Sequence, residues 1–276
     1  MDENIQITRT QPVSTAPKQS DSKNLFPTEL VDLPSEGRFY DSSNPLSKGT
    51  VELKYMTAKE EDILTSQNLL RKGIAIDKLL ESLVIDKNID LDSMLSGDKS
   101  ALIFASRRLA YGDSYGPLDV TCPACNEKAK VTIDLSELKY KETSQEVLPD
   151  ENGEFSYKLP NSKVSIKIKL LTSGDEKIIE KNNQSMSKIK AGVTNEVTGR
   201  LKYMITEING ERNKAEIVKF VENSLLSKDS FELRKFLKEI SPDIENTFEF
   251  TCDSCQSEER IFVPITAQFF WPDSAI

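Results

Sequence analysis

The sequence predicts an α+β protein organised around a four-cysteine, zinc-ribbon-like unit. A hairpin and a helical subdomain are inserted between its two CxxC knuckles, and a helical N-terminal region precedes it. Three observations carry this. The only four cysteines of the 276-residue chain form two CxxC pairs, Cys122/Cys125 and Cys252/Cys255, and there is no histidine. The surrounding segments, VTCPACNEKAKVTIDL from Val120 and FTCDSCQSEERIFVPI from Phe250, share one plan: an apolar residue and Thr, CxxC, a short polar stretch, then alternating apolar residues. Apolar residues at helical spacing mark the regions before and between them.

The expected organisation is a tail over 1–27, a strand-turn and helical region over 28–117, ribbon halves at 118–135 and 247–268, an inserted subdomain over 136–246 and an aromatic C-terminal tail over 269–276. The first residues, MDENIQITRTQPVSTAPKQSDSKN, are rich in Ser, Thr, Gln and Pro, which predicts a disordered tail, and they lack the apolar core of a signal peptide. In LPSEGRFY from Leu33, Pro34 suits the second position of a type I turn, and Gly37 is expected to keep the loop flexible. VELKYM from Val51 alternates as a strand, and Thr57 with Glu60 forms a capping box that opens a helix through AKEEDILTSQNLL. Ile76, Leu79, Leu80 and Leu83 share one face of a second helix, and DKSALIFASRRLAYG makes a third that stops at Gly112. FSYKLP and KVSIKIKLL flank Pro160 and Asn161 as a hairpin. From Asp175 to about Ile240 the pattern is mostly helical, interrupted at Gly192 and at the Asn209–Gly210 turn, and Ser241–Pro242 ends it.

Composition narrows the function. Net charge is −9, the wrong sign for a protein whose main task is to grip phosphates. Lys163, Lys167 and Lys169 fall on one side of a strand, which reads as the solvated face of a sheet. No apolar run approaches the roughly 18 residues of a membrane span.

Four cysteines satisfy a tetrahedral structural zinc site, because each CxxC turn points two sulfurs into one place. Cys122, Cys125, Cys252 and Cys255 are the only soft ligands available, so the metal would tie together both ends of the insertion. Unliganded core cysteines, disulfides and redox pairs are the competing readings. Matched spacing disfavours the first, the absent signal peptide the second. The third needs a helix N-terminus at the thiol, where a strand-like pattern follows instead. The position after the second Cys of a knuckle commonly adopts positive φ. It is occupied by Asn126, which tolerates that conformation, and by Gln256, which suits it less.

No catalytic set emerges. GDSYG at Gly112–Gly116 matches GxSxG around Ser114, but that motif needs a preceding strand, a following helix and a histidine base. Neither a Walker loop nor GxGxxG is present. Phe269, Phe270 and the single tryptophan, Trp271, read either as a cover on the sheet or as an aromatic anchor for a partner.

The order LPSEGRFY, MTAKEEDIL, IDKLLESLV, RRLAYGDSYG, CxxC, KLLTSGDE, LRKFLKEISPDIE, CxxC and FFWPD resembles the baseplate hub proteins of T-even-type tailed bacteriophages, over roughly residues 30–276. The resemblance implies a virus-encoded component or assembly factor of the contractile-tail baseplate hub, without catalytic activity. It would bind other hub proteins in the infected bacterial cytoplasm. The alternative is a zinc-ribbon regulator that binds nucleic acid.

Overall fold

The computed structural model describes residues 27–144, 147–189, 195–263, 265 and 267–270. Residues 1–26, Gly192 and Trp271 therefore lie outside the described residues, and with them the expectations for the tail and for the tryptophan.

The fold is α+β. Strands β1 (Thr28–Asp32) and β2 (Thr50–Lys54) pair antiparallel, with Val31 opposite Val51, both buried. Between them LPSEGRFY forms a closely packed loop. Gly37 adopts φ 77°, and a Cβ there would meet the Ser47 carbonyl oxygen at 2.3 Å. The role of this glycine in the structure is thus to permit close backbone packing. Tyr40 closes the loop: its hydroxyl donates to Asp98 Oδ2 at 2.5 Å and accepts from the Leu95 N–H at 2.8 Å. Burial pushes the Asp98 carboxyl up, partly offset by the Tyr40 and Ser35 hydrogen bonds.

Helix α1 (Ala58–Thr65) opens where predicted, with the Glu60 carboxylate accepting from Thr57 N–H at 2.9 Å and Thr57 Oγ1 at 2.6 Å. The run expected as one helix breaks at Ser66, and α2 (Gln67–Arg71) follows. Helix α3 (Ala75–Leu83) buries Leu79, Leu80 and Leu83. Helix α4 (Ser96–Tyr111) stops at Gly112, φ 80°. These elements share a core with the feet of two later hairpins and with Phe269 and Phe270.

The first hairpin is β3 (Ser114–Thr121) and β4 (Lys128–Asp134), with a bulge between Tyr115 and Leu118. Strands β5 (Glu154–Lys158) and β6 (Ser165–Lys169) form the expected inserted hairpin. Helices α5 (Ser173–Ile189) and α6 (Glu196–Met204) follow. Strand β7 (Ile205–Ile208), which the helical pattern did not announce, adds to β6 as a third strand. The turn at Asn209–Gly210 falls where predicted, both residues at positive φ. Helices α7 (Lys214–Asn223) and α8 (Ser227–Ile240) pack Ile217, Val221, Leu233 and Leu237 onto this sheet in a second core. The second hairpin is β8 (Thr247–Thr251) and β9 (Glu258–Phe262).

Lys163 lies outside β6, in the preceding turn at φ 61°, so the three lysines do not form one strand face. Lys167 and Lys169 pair instead with Asp150 at 2.7 Å and Asp175 at 2.8 Å. No described helix is long and apolar enough to cross a membrane.

Candidate metal centre

Each CxxC occupies the tip of a hairpin. In the first, the Cys122 N–H donates to Glu127 O at 2.8 Å and the Asn126 N–H to Cys122 O at 2.8 Å. In the second, the Cys252 N–H donates to Ser257 O at 3.0 Å and the Gln256 N–H to Cys252 O at 2.8 Å. Asn126 and Gln256 take φ 62° and 59°, so both knuckles adopt the left-handed turn, Gln256 included. The same hydrogen bonds and the same backbone sign at matching positions make the two tips copies of one turn.

The tips face each other. Cys122 Sγ lies 3.7 Å from Cys255 Sγ, and Cys125 Sγ lies 3.7 Å from Cys252 Sγ. All four sulfurs fall within 4.8 Å of one another, and all four are free thiols. Cys122 and Cys252 are buried against Val120 and Phe250 in a small core of their own, while Cys125 and Cys255 are exposed. The four cysteines singled out in the sequence are thus brought together, in an arrangement that can hold a metal ion.

The sulfurs are electrostatically unequal. Backbone N–H groups of Cys255 and Ser254 aimed at the Cys252 thiol bring its pKa down to about 7. At Cys125 the Glu127 N–H favours the thiolate, but the crowding sulfurs of Cys255, Cys252 and Cys122, with the loss of solvent they cause, outweigh it and push the thiol up to about 12. Four thiolates this close repel one another unless a cation sits among them.

The remaining candidates scatter. Phe269 and Phe270 are completely buried. Phe269 meets Phe104, Tyr115 and Phe270 edge-on, at 5.1, 4.9 and 5.7 Å between ring centroids. Rings with no accessible surface have none to offer a partner, so of the two readings of Phe269 and Phe270 burial favours the cover on the core. Ser114 opens strand β3 directly after α4, the reverse of a nucleophile elbow, and its carbonyl accepts from Arg107.

Arg107 is the residue that sequence reasoning missed. Fully buried, it donates to the carbonyls of Phe269 at 3.0 Å, Gly112 at 3.1 Å and Ser114 at 3.2 Å, and its guanidinium lies 5.0 Å from the Tyr111 ring centroid. It fastens the C-terminal turn to the junction of α4 and β3. The available signal was an arginine pair inside an otherwise apolar helical run, ALIFASRRLAY.

Residues 28–271 match the family model described as T4 bacteriophage base plate protein. No curated protein and no solved structure matches the chain.

Proposed function

The chain belongs to the T4 bacteriophage base plate protein family, and from that premise we propose a structural or assembly component of the contractile-tail baseplate hub, stapled by one structural zinc ion and without catalytic activity. Membership places its working contacts with other baseplate proteins; the hub is the part of the baseplate to which the motif order points. It acts in the infected bacterial cytoplasm during assembly and, on this reading, in the virion tail.

The single observation that carries the zinc assignment is the sulfur geometry. A tetrahedral ion with Zn–S bonds of about 2.3 Å has sulfurs about 3.8 Å apart. The two facing pairs lie at 3.7 Å. Four soft sulfur donors suit zinc over magnesium or calcium, which prefer oxygen. A shell of four protein ligands leaves no open position for water, so bound zinc would supply rigidity rather than Lewis-acid chemistry. Cys122 and Cys125 would hold it from one hairpin, Cys252 and Cys255 from the other.

The test is an affinity-tagged chain recovered from infected cells. Hub subunits should co-purify, and elemental analysis should return one zinc per chain. Recovery of baseplate subunits from outside the hub alone overturns the hub assignment, and metal-free reduced protein overturns the zinc.

A further inference from the structure

The two cysteine-bearing hairpins are joined at both ends and separate between. At the tips the sulfurs meet. At the feet Tyr140 and Ile244 form a β-bridge, with Lys141 N–H donating to Asp243 O and Glu245 N–H to Lys139 O, both at 2.9 Å. Between these junctions, among the described residues, β4 pairs only with β3, and β8 only with β9. A groove of about 480 Å³ runs there, bordered by Val131–Asp134 of β4 and Thr247–Glu249 of β8. Side chains alternate faces along a strand. An unbroken run of residues from each strand borders this groove, as a groove along strand edges requires.

Hydrogen-bond phase identifies the backbone groups on those edges. Antiparallel ladders alternate between pairs that exchange both backbone bonds and pairs that exchange none. In the first hairpin Cys122 bonds Glu127 at the tip and the Leu135 N–H bonds Asp113 O at the foot. Counted from either end through the register, Thr132 and Asp134 turn their N–H and C=O away from β3. In the second hairpin Cys252 bonds Ser257 and the Val263 N–H bonds Asn246 O, so Thr247 and Glu249 turn away from β9. The Asp134 C=O is engaged as the cap of the short 3-10 turn Leu135–Glu137, whereas the outward groups of Thr132, Thr247 and Glu249 meet no hydrogen-bonding partner among the described residues. Unpaired edges of this kind are templates for an added strand.

The charge of the groove selects the occupant. Asp134, Glu137, Glu245 and Glu249 line it against Lys139 and Arg260, and Arg260 already lies 3.8 Å from Glu249. We infer that the groove docks a short extended segment of a partner protein, rich in lysine or arginine, which adds as a strand along the free edges of β4 and β8. At about 3.3 Å per residue, the bordering stretch accommodates roughly four residues. The chain's own N-terminal segment complements the groove poorly, since Asp2, Glu3 and Asp21 balance Arg9, Lys18 and Lys23. A second copy, at net charge −9, meets like charge. The inference rests on the reading of the chain as a component that works through protein contacts.

Amide hydrogen exchange of the full-length chain tests it, with the acetylated and amidated peptide Lys-Val-Lys-Val-Lys-Val as the probe. Exchange at Thr132 and Glu249 should slow at least tenfold. A peptide of the same composition with a central proline, and Glu-Val-Glu-Val-Glu-Val, should leave it unchanged. Thr132→Pro removes one outward N–H without touching a β3 ladder bond and should abolish the protection. If that variant misfolds, Glu245→Lys with Glu249→Lys, both at exposed side chains, should abolish it with the backbone intact. No protection by the basic peptide overturns the inference, as does equal protection by the proline or acidic peptide. Protection already present without peptide and lost on deleting residues 1–26 makes the tail the occupant and also overturns it; protection that rises with protein concentration does the same in favour of a second copy. Capture of hub subunits by the wild-type chain separates the two proposals: intact capture with a silent groove sinks only the docking site, and failed capture sinks the hub reading.

Discussion

Cys122 Sγ and Cys255 Sγ lie 3.7 Å apart although the two residues are 133 positions apart in the chain. Everything between the knuckles, including the three-stranded sheet and four helices among the described residues, leaves and returns through this one contact region. A metal there closes a long loop, and closing a long loop removes more chain entropy from the unfolded state than closing a short one.

Removing the metal should therefore affect more than the tips. Structural zinc contributes on the order of 10 kcal/mol of apparent binding energy to small zinc domains near neutral pH. Cys252→Ser and strong chelation should each eliminate stoichiometric metal, lower the melting temperature and expose both hairpins to protease. The first-core elements α3 and α4, which contain no ligand, should retain protection longest. A Cys252→Ser protein with unaltered melting and proteolysis would refute the shared staple.

Arg107 supplies a second long-range tie. Its guanidinium serves three carbonyls, and desolvation pulls its pKa down, partly offset by Tyr111 and Tyr115, while leaving the cation in place. Arg107→Ala leaves those carbonyls without their donor and opens a void beneath Phe269. A loss of about 3 kcal/mol or more is expected, since hydrogen bonds to a charged group are each worth about 1.5–3 kcal/mol. Arg107→Lys should recover little, because an ammonium cannot reproduce the planar fork. Urea denaturation of the three proteins measures both effects; full recovery by lysine would show that charge alone matters.

These two ties show where the sequence was legible. The knuckles announced themselves because spacing, flanking Thr and following alternation are all local, and α3 and α8 did so because Leu79, Leu80 and Leu83, or Leu233, Leu237 and Ile240, recur at helical period. Strand β1 buries only Val31, so no alternation marks it, and it exists because β2 lies opposite. Strand β7 follows α6 without a breaker, Met204 running directly into Ile205, and only pairing with β6 makes it extended. The fate of Phe269 depended on Arg107, 162 positions earlier, a relation no local window contains. The groove between β4 and β8 was hidden for the same reason: it arises from how two distant hairpins meet.

The loop at LPSEGRFY yields a paired prediction. Gly37 and Gly73 both sit at positive φ, 77° and 69°, but a Cβ on Gly37 strikes the Ser47 carbonyl while one on Gly73 meets nothing within 4 Å. An L-residue in the left-handed region costs of order 1–3 kcal/mol. Gly73→Ala should pay only the conformational term, about 1 kcal/mol. Gly37→Ala adds a backbone collision and should lose at least twice as much by thermal or urea unfolding. Equal losses would mean that the loop yields, and that its close packing against Ser47–Gly49 is not a constraint.

Glu60 makes stability depend on acid. Its carboxylate is fully buried and accepts from Lys54 Nζ at 2.7 Å, Ser82 Oγ at 2.7 Å and both donors of Thr57, joining β2, α1 and α3. Burial alone would raise its pKa, but the Lys54, Thr57 and Ser82 hydrogen bonds overcome this and hold it at about 2, below the ordinary 4.5. A folded-state pKa below the unfolded one means that the unfolded chain takes up its proton first. The stabilisation is therefore complete above about pH 4.5 and is lost as pH falls toward about 2. Glu60→Gln keeps the shape and removes the charge, so the variant should be weaker than wild type at pH 7 by about 1–3 kcal/mol. The gap should narrow steadily below pH 4.5, because wild type alone loses this ionised acceptor. Urea unfolding of both proteins at pH 7, 4.5 and 3 measures the gap directly. A gap that stays constant across that range would show that the carboxylate's charge contributes nothing, leaving Glu60 as a neutral cap on α1.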